Sequence, residues 1–336
     1  MSIATESLPF LGAQVLVGLV VLILSGNWMV NSASKLAATL GMSPTVIGLT
    51  IVAFGTSLPE LMVSLFANLG PDSSGDLSIG NVVGSNITNI SLIMGVGAVI
   101  TVLPIERQML KREYPYMLLV SLLLILFSLG SDRQINRWEG LILVLGLAFF
   151  LGYSYVAGRN TNVEAVDVEE VEAGSQAKKR ILTINFIVLP VSIAGLALGA
   201  DWLVDGASGL ARMMGISELF IGLSIIALGT SLPELVTTVV AIRHGEAEIA
   251  VGNLVGSNIF NVLAIIGITS LIKPLSTAAA TLLTLDYPVM IFTSALPFAV
   301  VWFTRFKSNR ALGFLLLLCY LGYYTKIFLD ASRNLL

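Results

Sequence analysis

The seven residues Gly-Thr-Ser-Leu-Pro-Glu-Leu occur twice, at Gly55–Leu61 and Gly229–Leu235, each inside a long apolar run. Each copy is followed by Gly-Asn-x-Val-Gly-Ser-Asn-Ile-x-Asn, at Gly80–Asn89 and Gly252–Asn261. A carboxylate amid apolar membrane residues is costly and marks a functional site by default. Glu60 and Glu234 hold matching places in the two copies, so they point to one shared site carrying two negative charges. Thr56 and Glu60 are four residues apart and share a helix face, with Ser57 beside them. Thr230, Ser231 and Glu234 repeat that arrangement. Asn81, Ser85 and Asn89 stand at i, i+4 and i+8 and make one polar stripe, which Asn253, Ser257 and Asn261 repeat. The ligands on offer are oxygens, with no thiolate or imidazole, which selects Na⁺, Ca²⁺ or Mg²⁺ over zinc and copper. Flexible Glu, Thr and carbonyl ligands suit Ca²⁺ better than Mg²⁺, which demands a tight octahedron.

Pro59 and Pro233 fall mid-helix and are expected to disrupt it around Gly55 and Gly229. Broken helix at membrane depth is tolerated where freed carbonyls face protein or a cavity. Gly80 with Gly84, and Gly252 with Gly256, form small-xxx-small pairs that predict close helix approach. Ser, Thr and Asn taken alone also read as helix–helix hydrogen bonding. The glutamates do not read as a structural ion pair, because neither motif helix has a basic residue in its core.

Membrane helices must position these groups. Hydrophobic residues make up 56% of the chain and charged residues 12%, against about 25% charged in a soluble domain. Mean hydropathy is +0.90. Apolar runs of membrane-spanning length recur along nearly the whole chain and predict an all-α polytopic bundle. The predicted spans of the first half are Leu8–Leu36, Pro44–Asn68, Leu77–Leu103, Tyr114–Leu129 and Trp138–Ala157. Those of the second half are Ile181–Met213, Leu219–Ile242, Ile249–Leu271, Thr281–Phe303 and Ala311–Leu329. Residues 1–157 thus form one five-helix repeat and 181–336 the other. Residues 158–180 are a flexible linker, acidic through Glu164, Asp167, Glu169, Glu170 and Glu172 and ending in Lys178-Lys179-Arg180. The first apolar run lacks a basic n-region and reads as a retained helix.

An offset of 174 relates the first motif pair, Trp28 to Trp202, Gly41 to Gly215 and Ile47 to Ile221; the second motif pair is offset by 172. Five helices is an odd number, so the second repeat enters the membrane in the opposite direction. With both termini outside, twelve of the Lys and Arg residues fall on the inner side and six on the outer. That bias places the linker in the cytoplasm. The hairpin Gly70–Asp76, acidic and free of Lys and Arg, fits the outside. Lys35, Asp201, Asp205 and Glu218 lie near helix ends and read as interfacial, as does the Trp28/Trp202 pair. The lone Cys319 reads as a packing residue, and His244 lies in a short polar loop.

The paired GTSLPE and GNxVGSN motifs resemble the two alpha-repeats of the sodium/calcium exchanger branch of the calcium/cation antiporter superfamily, in its compact prokaryotic form. The resemblance spans essentially the full length. It implies ten helices, with the second, third, seventh and eighth around the ions and the first and sixth sliding past them. It implies a central Ca²⁺ site on Thr56, Glu60, Thr230 and Glu234. It implies Na⁺ sites using the backbone at Ala53 and Ala227 and the side chains of Ser57, Ser85, Ser231 and Ser257 with the glutamates, and three Na⁺ moved per Ca²⁺. Some relatives, including potassium-dependent exchangers, carry Asp where this chain has Asn261. Here Asn89 and Asn261 are both neutral, which argues against potassium coupling and leaves Glu60 and Glu234 as the acids of the site, lined by Asn81, Asn89, Asn253 and Asn261.

The expected function is Na⁺/Ca²⁺ antiport by alternating access in a cell membrane. A cation/H⁺ antiporter, with the glutamates carrying protons, and a cation channel are the alternatives. No nucleophile–base pair or cofactor motif points to an enzyme, and the expected partners are Ca²⁺, Na⁺ and the lipid bilayer. Nothing suggests nucleic acid or an obligate protein partner.

Overall fold

The computed structural model describes residues 7–69, 75–130, 133–159, 175–216, 218–277, 281–304 and 308–333. The acidic stretch of the expected linker and most of the Gly70–Asp76 hairpin lie outside these. Among the described residues, ten helical segments make up the bundle. The first five are α1 (Leu8–Leu40), α2 (Pro44–Thr56 with Leu58–Leu69), α3 (Gly75–Ile100), α4 (Glu113–Ser128) and α5 (Arg137–Arg159). The second five are α6 (Ser175–Met213), α7 (218–229 with Leu232–Arg243), α8 (Ala247–Ile272), α9 (Leu282–Phe303) and α10 (Arg310–Arg333). Seven are each long and apolar enough to cross a membrane, and bent α2 makes an eighth. The others are α4, with 16 residues, and α7, which is broken.

Local chemistry sets the boundaries. Pro44 at the start of α2 needs no N–H partner, and the Ser43 hydroxyl accepts from Val46 N at 3.3 Å. Gly41 ends α1 at φ 66° and Gly215 follows α6 at φ 77°, a left-handed turn that favours glycine at repeat-related positions. α1 runs four residues beyond the predicted Leu36. α6 begins six residues before the predicted Ile181, so Lys178, Lys179 and Arg180 extend the helix instead of closing the linker.

α8 lies at the centre, with residues 249–267 all buried. From Ile249 onward it is apolar or small apart from Asn253, Ser257, Asn258, Asn261, Thr269 and Ser270, as suits a core helix that carries part of the site. α1 and α6 pack against each other at backbone distance: a Cβ on Gly18 would lie 2.6 Å from Leu203 N, and one on Gly199 would lie 2.8 Å from Leu22 N. Their outer faces are apolar, with Leu16 and Ile187 at least 60% exposed, as a lipid-facing surface requires. Lys35, Asp201, Asp205, Trp28 and Trp202 are exposed. The side chain of Glu218 lies outside the described residues. Cys319 is half-buried, and the His244 ring meets Asn27 Oδ1 at 2.9 Å. The strands among the described residues form a two-residue ribbon, β1 (Gln134–Ile135) antiparallel to β2 (Leu275–Ser276), which ties one loop of each repeat together.

The π-helical segments were not legible in the sequence; besides Leu282–Asp286 they form two pairs, Gly48–Val52 with Gly222–Ile226 and Thr88–Met94 with Asn261–Ile266. The members of each pair occupy corresponding places in the two repeats. Such wide turns recur at functional sites because they re-aim neighbouring side chains.

Candidate cation site

α2 and α7 break at Ser57 (φ −83°, ψ 2°) and Ser231 (φ −89°, ψ 3°), with a 40° bend in α2. The break therefore falls two residues later than Gly55 and Gly229. The physical reason is that Pro59 and Pro233 sit in the first turn of the following helix, where no N–H is required. Each half-helix then points its first-turn glutamate, Glu60 or Glu234, into the bundle centre.

Both glutamates are completely buried. All four carboxylate oxygens lack a hydrogen-bond partner. Glu234 is the charge felt by Glu60, and its own carboxylate faces the Thr56 and Ser257 hydroxyls without meeting hydrogen-bond geometry. Ser57 Oγ, Ser231 Oγ, Asn89 Oδ1 and Asn261 Oδ1 are also buried without partners. Burying an ionised carboxylate without a partner costs several kcal/mol. A hard cation is the group this oxygen set would satisfy.

The structure brings most of the expected residues together. Thr56 Oγ1 donates to Asn253 Oδ1 at 3.1 Å, and lies 3.3 Å from Ser257 Oγ and 3.4 Å from Ala53 O. The Ala53 carbonyl also accepts from Ser57 N at 3.1 Å. Asn81 Nδ2 donates to Glu60 O at 3.2 Å and to Ser64 Oγ at 3.1 Å. Ser85 is buried. Thr230 is half-buried, and Ala227 opens the short helical piece before Thr230.

The sequence reading missed Asn86 and Asn258. Asn89 Nδ2 donates to Asn258 Oδ1 at 3.0 Å, and Asn261 Nδ2 to Asn86 Oδ1 at 2.9 Å. Asn86 Nδ2 and Asn258 Nδ2 each donate to the other's backbone carbonyl, at 3.3 Å and 3.2 Å. This ring fixes which way the Asn89 and Asn261 amides point and leaves their oxygens unpaired. Both residues stand inside the duplicated motif, so the repeat itself carried the signal. The i, i+4, i+8 stripe passed over them.

Asn261→Asp is expected to change ion coupling more than folding. It replaces the donor facing Asn86 Oδ1 with a second acceptor, so the new carboxyl has to hold a proton or a cation to keep that contact. The check is cation uptake as a function of pH and of K⁺. Unchanged dependence on both would place residue 261 off the ion path.

The glycine pairs behave unequally, which corrects the expectation that both bring helices together. A Cβ on Gly252 would lie 2.5 Å from Thr45 O, and one on Gly256 would lie 2.5 Å from Leu49 O. On the facing helix, a Cβ on Gly48 would lie 2.6 Å from Ile249 O. Among the described residues, nothing lies within 4 Å of a Cβ placed on Gly80, Gly84 or Gly222, the repeat-mate of Gly48. The α2–α8 seam is therefore shut at backbone contact. Among the described residues, the glycines of the corresponding seam of α3 and α7 make no such contact.

Inverted five-helix repeats, two broken helices and a buried oxygen-lined centre define a multi-pass membrane cation transporter. The family model described as "Sodium/calcium exchanger protein" matches residues 10–156 and 184–329, and the chain belongs to that family of cation antiporters. It is 34% identical to the sodium/calcium exchanger MaX1 of Methanosarcina acetivorans, over 93% of this chain and 97% of that one. It is 36% identical to the inner membrane protein YrbG of Escherichia coli, over 90% and 92%. A solved structure of the sodium-calcium exchanger NCX_Mj, soaked with zero Na⁺ and Ca²⁺, superimposes with a TM-score of 0.78 at 27% identity, covering 96% of this chain and all of that one.

Proposed function

We propose that the chain exchanges Na⁺ for Ca²⁺ across a cell membrane, binding both ions midway through the bilayer between Glu60 and Glu234. The observation that carries this reading is the set of partnerless buried oxygens, four of them carboxylate, contributed equally by the two repeats. Two carboxylates balance one Ca²⁺, and Thr56, Thr230 and nearby carbonyls complete its oxygen shell. Ala53, Ala227, Ser57, Ser85, Ser231 and Ser257 serve Na⁺ with the same glutamates. One set of carboxylates then serves either ion in turn, which is how exchange is coupled. The name of the Methanosarcina relative supports the ion pair. The excess of Lys and Arg on one side supports a cytoplasmic face bearing the linker, with both termini outside. The name of the Escherichia coli relative supports an inner-membrane location.

The direct test is radiolabelled Ca²⁺ uptake into proteoliposomes with and without an outward Na⁺ gradient. Uptake that follows the Na⁺ gradient is expected. Uptake driven by a proton gradient instead would favour cation/H⁺ antiport, and flux without a counter-ion would favour a channel.

Cation binding needs both carboxylates ionised, so protons compete for the site. Apparent Ca²⁺ affinity is therefore expected to fall as pH is lowered. Its measurement from mildly acidic to alkaline pH checks this, and a constant affinity would remove the glutamates from the site.

A further inference from the structure

The two repeats carry the same residues in different bonding states. In the second repeat Asn253 reaches across to Thr56 of the first, its Oδ1 accepting at 3.1 Å, and both residues are buried. This bond closes the seam where Gly48, Gly252 and Gly256 meet opposing backbone. In the first repeat Asn81 stays on its own side, donating to Glu60 O and Ser64 Oγ. Asn81 and its cross-repeat counterpart Thr230 are only half-buried, and the glycines of that seam face open space. The atoms left over match this difference. Applying the repeat offsets to the two bonds of Asn81 gives Asn253 Nδ2 to Glu234 O and to Thr238 Oγ1. Asn253 Nδ2 and Thr238 Oγ1 are both buried without partners.

We propose that Asn81 and Asn253 are positioning residues that select which face of the site is open, each trading a bond across the repeats for bonds within its own. Here Asn253 holds Thr56 and the α2–α8 seam is shut. In the opposite-facing state Asn253 turns to Glu234 O and Thr238, freeing Thr56, while Asn81 leaves Ser64 and takes Thr230 as Gly80 and Gly84 close on α7. The same kinds of bond are made in both states, so the exchange leaves them close in energy, as a carrier requires. This rests on the antiporter reading. Under the proposed orientation, the present state faces outward.

Gly84→Ala separates this from a structural role. The added methyl has free space here, but its repeat-mate at Gly256 would lie 2.5 Å from Leu49 O, so the change is tolerated in this state and blocks the other. The variant should fold and keep Ca²⁺-induced thermal stabilisation in detergent, while exchange falls at least ~10-fold. Hydrogen exchange of the whole protein, without added Na⁺ or Ca²⁺, should slow in residues 44–56 and quicken in 218–230. Asn253→Ala, which removes one bond from the present state and two from the opposite one, should move both segments the same way as Gly84→Ala, and Asn81→Ala the opposite way. Wild-type exchange in Gly84→Ala, or equal shifts in the two Asn variants, would overturn the proposal. Failure of the unaltered protein to couple Ca²⁺ to Na⁺ would instead overturn the ion assignment, because the hydrogen-exchange shifts do not depend on which ion is carried.

Discussion

Replacing Glu60 or Glu234 by Gln is expected to abolish Ca²⁺ transport while leaving the protein folded. Each substitution keeps the side-chain shape but lowers the site charge from two negatives to one. Ca²⁺ then carries an uncompensated positive charge in a medium of low dielectric. Breaking a buried charge pair by removing one partner costs at least ~3 kcal/mol, or more than ~100-fold in affinity. Folding should be spared, because neither carboxylate has a hydrogen bond or ion pair to lose and the two repel each other. The checks are Ca²⁺ uptake in proteoliposomes together with a monodisperse elution profile and unaltered helical signal. Near-normal uptake by either variant would exclude that residue as a ligand.

Transport is expected to be electrogenic when Na⁺ is the counter-ion. With Asn at 89 and 261, the site charge is set by Glu60 and Glu234. A site holding one Ca²⁺ is neutral, whereas the three Na⁺ implied by the family resemblance leave it with one net positive charge. Moving that charge is worth about 2.3 kcal/mol per 100 mV, which is about 50-fold in the final Ca²⁺ ratio at about 1.36 kcal/mol per decade. An inside-negative potential should assist Na⁺ influx and Ca²⁺ extrusion. Under a fixed Na⁺ gradient and a valinomycin-set potential, reversing the potential should reverse the bias. If rate and final gradient stay the same, exchange is electroneutral and two Na⁺ or protons are moved per Ca²⁺.

The fold was legible because its signals are local and duplicated. Apolar runs, the 174-residue offset and paired features such as Gly41 and Gly215 are properties of the chain itself. Glu60 and Glu234 were legible for the same reason, since a repeated carboxylate in an apolar run has few structural explanations. Asn86 and Asn258 were missed because helical periodicity placed them off the stripe. Their role depends on pairing with each other across the repeats, and no single helix shows that. The π-helical turns were hidden because ordinary helix-forming residues occupy them. The unequal glycine seams could not be read at all, since identical motifs in the two repeats adopt different contacts. Sequence symmetry specifies the set of available states, and the conformation selects one of them.

Three side-chain hydrogen bonds at the site join Thr56 to Asn253, Asn89 to Asn258 and Asn261 to Asn86. Each links one half of the chain to the other. A polypeptide with a single five-helix half would leave these groups unpaired, and could complete the site only by meeting a copy inserted in the reverse direction. Joining the halves turns that bimolecular encounter into an intramolecular one, with an effective concentration of order millimolar for a short flexible tether. It also fixes the ratio of the two orientations at one to one. Once tethered, the halves no longer need to be interchangeable. Substitutions such as Ser64 in one and Thr238 in the other can then accumulate independently, giving the two faces of the membrane different closing contacts.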